Sequence, residues 1–515
     1  MAVRFKEDAN HLTLYTKESA YQMQIDDHGV LLHTWYGAKI DDRASHLIEL
    51  RDRGFSSNPP DLVPNRTYSL DFLPQEIACL GNGDLRDFAL DVAWANGTHA
   101  LDLRVVDYSW EDKAPDWGVL PHFWSDKDHT LCITLKDREK DLYVHLYYTV
   151  YYEYDLITRS LSVENRTDET VVLHKAASAS VDFPTQDWTL LHFAGRHNKE
   201  RARQDYEVQQ GRFKIYSSRG VSSHQHNPTV VLKGPDATED FDHCYGFALV
   251  YSGGFDITCE GDQYGQTRLV MGLDSQNFSW PLEPGQSFQT PELAMTYSGQ
   301  GMGKMSRDFH KAVREHLIRS PWQNRPRPIV VNNWEATYFD FTGEKLLEIV
   351  DVAREIGLDM FVLDDGWFGA RDWDDRGLGD WQVNEKKLGM PLRDLVKEVN
   401  KRGLEFGLWV EPEMINKDSD LFRAHPDWAL TVPGRQPLSS REQLILDITN
   451  PEARRHVMDE ILKVMAKAEN VRYVKWDMNR SVLDTYLAGA DSKSQGMYRH
   501  LYVLAMYEMT QTLLD

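Results

Sequence analysis

Disulfide chemistry is the first thing this sequence makes little provision for. Its four cysteines, Cys79, Cys132, Cys244 and Cys259, stand far apart with no CxxC pair. No disulfide framework follows from such spacing, and a reduced, cytoplasmic compartment is the simplest expectation. Long apolar runs are missing as well: no stretch approaches a membrane span, and Met1-Ala-Val-Arg-Phe-Lys-Glu-Asp8 lacks the apolar core of a signal peptide. Positive charge is in short supply, with 57 Lys and Arg against 80 Asp and Glu and a formal net charge of −23. Phosphate neutralisation needs clustered cations, so nucleic acid is excluded as a partner, and an anionic membrane surface is excluded on the same ground. A neutral small molecule such as a sugar stays open. No internal repeat or low-complexity tract is present.

What remains is an ordinary globular composition, 41% hydrophobic and 27% charged, in a chain of 515 residues, long enough for two or three domains. Tryptophan is abundant: of fifteen, seven fall between Trp334 and Trp476. Its flat apolar face and single donor suit the C–H face of a pyranose ring, although most of the fifteen serve as core filling.

Residues 1–320 read as all-β. Runs such as Leu142–Tyr154, Phe247–Ser252 and Thr267–Gly272 alternate or are rich in aromatics and are broken by Gly, Asp, Asn and Pro turns. An antiparallel sandwich of two large sheets is the natural packing for so many strands. Helical spacing over Ser306–Ile318 marks a connector, and Pro321, Pro326 and Pro328 punctuate a boundary near 320. From 321 to 515 the pattern becomes strand–helix alternation. Strands are expected at Ile329–Trp334, Met360–Asp365, Glu405–Glu411, Leu444–Asp447 and Tyr473–Asp477, and helices at Gly343–Ile356, Pro391–Arg402, Pro451–Ala468 and Tyr498–Leu514. Such alternation argues for a parallel sheet, and strands ending in polar or aromatic residues match the mouth of a β/α barrel. Four main units and the minor Leu444 strand make about the first half of the eight that a closed barrel requires, so the chain reads as part of a longer one.

The chemistry concentrates at strand ends. In Tyr473-Val-Lys-Trp-Asp-Met-Asn-Arg480, strand alternation puts Lys475 and Asp477 on one side, Trp476 on the other and Asn479 next along. A cation two residues before a carboxylate favours the ionised acid, the state a nucleophile needs; an ordinary intrastrand ion pair is the rival reading. In Val362-Leu-Asp-Asp-Gly-Trp367, Gly366 permits a turn through which Asp364 and Asp365 address one ligand, taking two sugar hydroxyls as charge-assisted bonds. No His or third acid stands at ligand spacing there, so a metal is the lesser alternative. Trp334 and Trp409 end their strands and offer a stacking wall, and Arg441 can fork onto a hydroxyl or carboxylate. Asp372, Asp374, Asp375 and Asp380 read as a solvated loop and not an EF-hand, since Arg376 and Val383 fill positions 5 and 12 counted from Asp372. His224-Gln-His226, followed by Asn-Pro, reads as a turn and not a metal site. Arg51–Pro59 reads only as a polar loop.

Taken together these residues resemble the α-galactosidases of glycoside hydrolase family 36, over essentially the whole chain. The markers are Asp52-Arg-Gly-Phe-Ser, Leu73-Pro-Gln-Glu76 with Gly81-Asn-Gly-Asp-Leu-Arg86, Tyr245–Gly254, Leu363-Asp-Asp-Gly-Trp367, Leu408-Trp-Val-Glu-Pro-Glu413 and Lys475-Trp-Asp-Met-Asn-Arg480. The resemblance implies a β-supersandwich ahead of a catalytic (β/α)8 barrel, often in a homotetramer. It implies retaining cleavage of terminal α-galactosyl groups from melibiose- or raffinose-type oligosaccharides, with no cofactor and no metal. On it, Asp477 is the nucleophile and Asp364 and Asp365 hold the sugar 4- and 6-hydroxyls. Lys475, Arg441 and Asn479 bind other hydroxyls, Trp334, Trp409 and Trp476 shape the pocket, and Asp52 reaches a neighbouring subunit's site. His197 stands where the family commonly has Trp, and that contact is not carried over. The family's acid/base Asp is expected beyond Asp515. A raffinose-synthase type of galactosyl transferase, a hydrolase of α-N-acetylgalactosamine and a galactose-binding pseudoenzyme are the alternatives.

Overall fold

The computed structural model describes residues 4–111, 115–124 and 129–514. Two compact units are formed, one of Met1–Gln323 with Ala490–Met497 and one of Asn324–Gly489 with Tyr498–Asp515.

The first unit is all-β apart from short helices. A four-stranded antiparallel meander covers Phe5–Ala38, and two larger antiparallel sheets of six and ten strands follow. Strand Leu142–Tyr151 shows why: Leu142, Val144, Leu146, Tyr148 and Val150 point inward and are buried, with half-buried residues between them. The interior also holds charge. Glu76 accepts hydrogen bonds from the Tyr21 and Tyr148 hydroxyls at 2.8 and 2.6 Å, lies 2.6 Å from His33 Nδ1 and pairs with Arg159 at 3.2 Å. Arg268 forks onto Asp182 at 2.6 and 2.7 Å and reaches Asp84 at 2.7 Å. Gly81, at φ +96°, lets this motif pass Ala100, whose Cα a side chain at 81 would meet at 2.6 Å.

The second unit is a four-stranded parallel sheet, Val330–Asn332, Met360–Leu363, Glu405–Val410 and Val471–Trp476, in chain order. Its inner strands are apolar and buried on both faces, as parallel strands covered by helices must be. Three helices, Gly343–Glu355, Leu392–Lys401 and Pro451–Ala468, separate the strands, each with one buried stripe. Asn450 caps the last of these, accepting the Glu452 N–H at 2.9 Å, with Pro451 at its first position. The outer strands pair on one side only, and Val330 and Tyr473 are exposed, as in a barrel that is not closed. This is an all-β region followed by a partial β/α barrel.

Four local expectations are corrected. The connector helix starts at Gly301, not Ser306, because Met302 and Met305 already pack on Leu191, Val231 and Cys244; it becomes a π turn at Val313–Leu317. His226 opens a strand, His226–Lys233, where a turn was expected. Its pairing with Thr189–Arg196 shifts between His192 and Ala194, and a bulge tolerates the missing N–H of Pro228. The Leu444 strand shrinks to Leu444–Ile445 and pairs antiparallel with Met414–Ile415, outside the parallel sheet. The first parallel strand ends at Asn332, and Trp334 begins a one-turn helix, Trp334–Thr337.

Candidate active site

Parallel register sets four strand ends side by side. Leu363 lies beside Leu408, Trp409 beside Lys475 and Val410 beside Trp476. Asp364, Trp409, Lys475 and Asp477 therefore share one carboxyl edge, where β/α folds place their chemistry.

Lys475 is the hub. Its Nζ donates to Asp364 Oδ2 at 2.8 Å and lies 3.8 Å from Asp477 Oδ2. The Trp409 indole N–H donates to the same Asp477 oxygen at 3.1 Å. Among the described residues no hydrogen bond reaches Asp477 Oδ1, and the Asp477 side chain is 35% exposed. One oxygen of this carboxylate is thus held by a cation and an indole while the other is free.

Asp364 is fixed from every direction. Its N–H donates to Asn333 Oδ1 and its Oδ1 accepts the Asp365 N–H, both at 2.9 Å. Asp365, the next residue, turns to a different partner. Arg371 grips it with Nε to Oδ1 at 2.9 Å and Nη2 to Oδ2 at 2.8 Å, and both side chains are buried. Burial raises the Asp365 pKa above its ordinary value, against the pull of Arg371. Gly366, at φ +103°, turns the chain directly after the two aspartates; a side chain there would crowd Phe339 at 3.0 Å.

The remaining expected residues are more dispersed. Trp334 packs edge-on against Tyr338 and Phe339 with centroids 5.3 and 5.1 Å apart, and Phe339 in turn lies under Arg371. Trp409 is buried beneath Phe368 and Trp381, so it meets Asp477 with its N–H edge and does not offer the open stacking face read from the sequence. Trp476 points away from Asp477, as strand alternation requires, and donates to Glu413 Oε2 at 2.7 Å. Asn479 donates to Glu411 Oε1 at 3.2 Å. Arg441, at φ +54° beside Glu442 at φ +58°, reaches Asp374 Oδ1 at 3.3 Å. Its loop is tied down by Arg480, which donates to the carbonyls of Gln443 and Leu438. Asp52 lies in the first unit, exposed and paired with Arg66.

The acids from 372 to 380 are each engaged by protein groups. Asp372 pairs with Lys387, Asp374 with Arg371 and Arg441, Asp375 with Arg376, and Asp380 accepts the Asp420 and Leu421 N–H groups. No cluster able to hold a metal ion occurs among the described residues.

Sequence reasoning missed Asn333, Arg371, Glu411 and Glu413. Glu411 and Glu413 stand in a motif quoted for the resemblance, and their spacing of two directly after an apolar strand was the available signal.

Two family descriptions match the chain: the glycosyl hydrolase family 36 N-terminal domain over residues 29–283 and melibiase over residues 287–515. The α-galactosidase Mel36A of Lactobacillus acidophilus is 42% identical over 99% of this chain and 70% of its own length. The chain belongs to glycoside hydrolase family 36. The bifunctional α-galactosidase/sucrose kinase AgaSK of Mediterraneibacter gnavus is also 42% identical over all of this chain, which spans 54% of that relative. The family 36 α-galactosidase AgaA of Geobacillus stearothermophilus superposes with a TM-score of 0.95 at 41% identity, covering 98% of this chain and 70% of that one. Variants of AgaA have been solved with raffinose and with stachyose bound.

Proposed function

We propose that these residues form the amino-terminal part of a retaining α-galactosidase, with a supersandwich domain over 1–320 and the first half of the catalytic barrel over 321–515. The observation that carries this reading is Asp477, whose Oδ2 accepts the Trp409 N–H and lies near Lys475 while no hydrogen bond reaches Oδ1 among the described residues. In the proposed first step Asp477 Oδ1 attacks the anomeric carbon of a terminal α-galactosyl group. The C1–O bond to the leaving group breaks as the Oδ1–C1 bond forms, giving a β-linked galactosyl-enzyme. The acid/base carboxyl protonates the departing oxygen in this step; water then attacks C1 from the opposite face, giving that carboxyl its proton as the Oδ1–C1 bond breaks, and galactose leaves in the α configuration.

Lys475, 3.8 Å from Asp477 Oδ2, places a positive charge beside the proposed nucleophile and holds Asp364 toward the sugar hydroxyls. A carboxylate offers about four lone-pair sites, so Asp365 retains acceptor capacity beyond what Arg371 uses. Arg441, Asn479, Trp334, Trp409 and Trp476 complete the proposed pocket, directly or as its walls, and Asp52 is assigned to a neighbouring subunit's site in a homotetramer. The acid/base carboxyl is assigned to the part of the relatives' length that these residues do not span. Melibiose, raffinose and stachyose are the proposed substrate class, on the names and complexes of the relatives. A cytoplasmic setting is proposed on the four cysteines, none of which forms a disulfide among the described residues. No helix among the described residues is long and apolar enough to cross a membrane.

The test is the configuration of the first product. With enzyme expressed from its complete reading frame, proton NMR of melibiose hydrolysis is expected to show α-galactose before mutarotation; β-galactose first, or no cleavage, overturns the proposal.

A further inference from the structure

The third and fourth parallel strands are joined beyond their ends by a row of four hydrogen bonds. Trp409 Nε1 donates to Asp477 Oδ2 at 3.1 Å and Asp477 N–H to Val410 O at 3.0 Å. Asn479 Nδ2 donates to Glu411 Oε1 at 3.2 Å, and Trp476 Nε1 to Glu413 Oε2 at 2.7 Å. The last two bonds use carboxyl groups for which the proposed reaction has no role. Both glutamates are buried, and the second oxygen of each, Glu411 Oε2 and Glu413 Oε1, is buried without a hydrogen-bond partner. Among the described residues no Lys, Arg or His forms an ion pair with either.

An anion buried without a partner for its second oxygen is strongly disfavoured, and a protonated acid avoids most of that penalty. Neutrality also suits the place. Neutral acids brace the strand end without adding negative charge beside the proposed nucleophile.

We propose that Glu411 and Glu413 are positioning residues of the glycosidase site: as neutral acids they hold Asn479 and Trp476, two residues after and one before Asp477, and so fix the direction of its free oxygen. This rests on the reading of Asp477 as nucleophile. The groups facing the pair are consistent with it. Burial, then Glu413, drives Glu411 well above the ordinary carboxyl range against Arg441, with Asp365 adding to the rise. Burial, opposed by the Trp476 hydrogen bond and reinforced by Asp477, raises Glu413 to about 8. Tyr502 faces both acids and Arg480 faces Glu411.

The experiment uses enzyme from the complete reading frame, with folding of each variant checked by circular dichroism. Glu413→Gln and Glu411→Gln keep the acceptor and the shape and are expected to keep kcat. The Ala variants remove the acceptor, and kcat is expected to fall about 10²-fold with KM little changed, the cost of a misaligned reacting group. Wild-type kcat is expected to decline as pH rises through about 8, where Glu413 loses its proton, and Glu413→Gln to lack that limb. Folded Ala variants with wild-type kcat, or Gln variants as slow as Ala, overturn the proposal. Infrared spectroscopy gives an arm independent of turnover. A neutral-carboxyl band at pH 7 that disappears in the two Gln variants supports the protonated pair, and no such band overturns it. Failure of the nucleophile reading is seen separately, as full turnover by Asp477→Asn.

Discussion

In the first unit the buried carboxylate of Asp182 lies in the fork of Arg268, with Asp84 on the same guanidinium. In the second, the buried carboxyls of Glu411 and Glu413 accept only N–H donors among the described residues, while Lys475 pairs with Asp364 and Asp477 and Arg371 with Asp365. Geometry makes both arrangements possible, but their electrostatic consequences are opposite. Burial alone would raise the Asp182 pKa; Arg268 overcomes it and holds the group at about 2. With no cation to answer burial, Glu413 rises to about 8. The lesson is that burial sets these acids apart by their partners: Asp182 in the fork of a guanidinium stays low, whereas Glu413, which accepts only an N–H, rises.

The largest break in that comparison comes from removing the paired cation. Arg268→Leu leaves the buried Asp182 with only the Gln75 N–H and Arg86 at 3.8 Å, while Asp84 keeps its fork from Arg86, and urea unfolding is expected to show a loss of about 3 kcal/mol. The sign with pH follows. A native pKa depressed from 3.8 to about 2 contributes stability that is present above pH 4 and lost as pH falls toward 2. Wild type should therefore lose stability over that window, and the variant should lose less.

A smaller effect sharpens the contrast from within the first unit. Glu292 is buried there without a cation, accepting the Phe123 N–H at 2.7 Å, and burial lifts its pKa to about 7. For a raised acid the native state holds the proton more tightly than the unfolded chain, so stability falls as pH rises from 4.5 to about 7. Glu292→Gln removes this dependence. Its stability relative to wild type should improve between pH 5 and pH 8 by up to about 3 kcal/mol. A pH-independent difference would show that Glu292 titrates normally.

The strand ends were legible in the sequence because their chemistry is local. Lys475 and Asp477 fall on one side by alternation alone, and a glycine after two aspartates signals a turn. What the sequence withheld depends on register and on distant loops. Arg371 finds Asp365 across a loop, and Asn333 meets the Asp364 N–H only because two parallel strands align Asn332 with Val362. Trp409 reads as an exposed strand end, yet Phe368 and Trp381 return over it. Leu444–Ile445 has strand-like residues, but only the antiparallel partner Met414–Ile415 decides which sheet it joins. The pairing of Trp476 with Glu413 likewise needs two strands side by side.

The central claim is that Asp477 presents a free oxygen to the anomeric carbon. Labelling the whole enzyme with a mechanism-based galactosyl inhibitor, then mapping the adduct by peptide mass spectrometry, tests it most directly. The account predicts a single galactosyl ester on Asp477, abolished in a folded Asp477→Asn variant. An adduct on another carboxylate, or undiminished labelling of that variant, would contradict it.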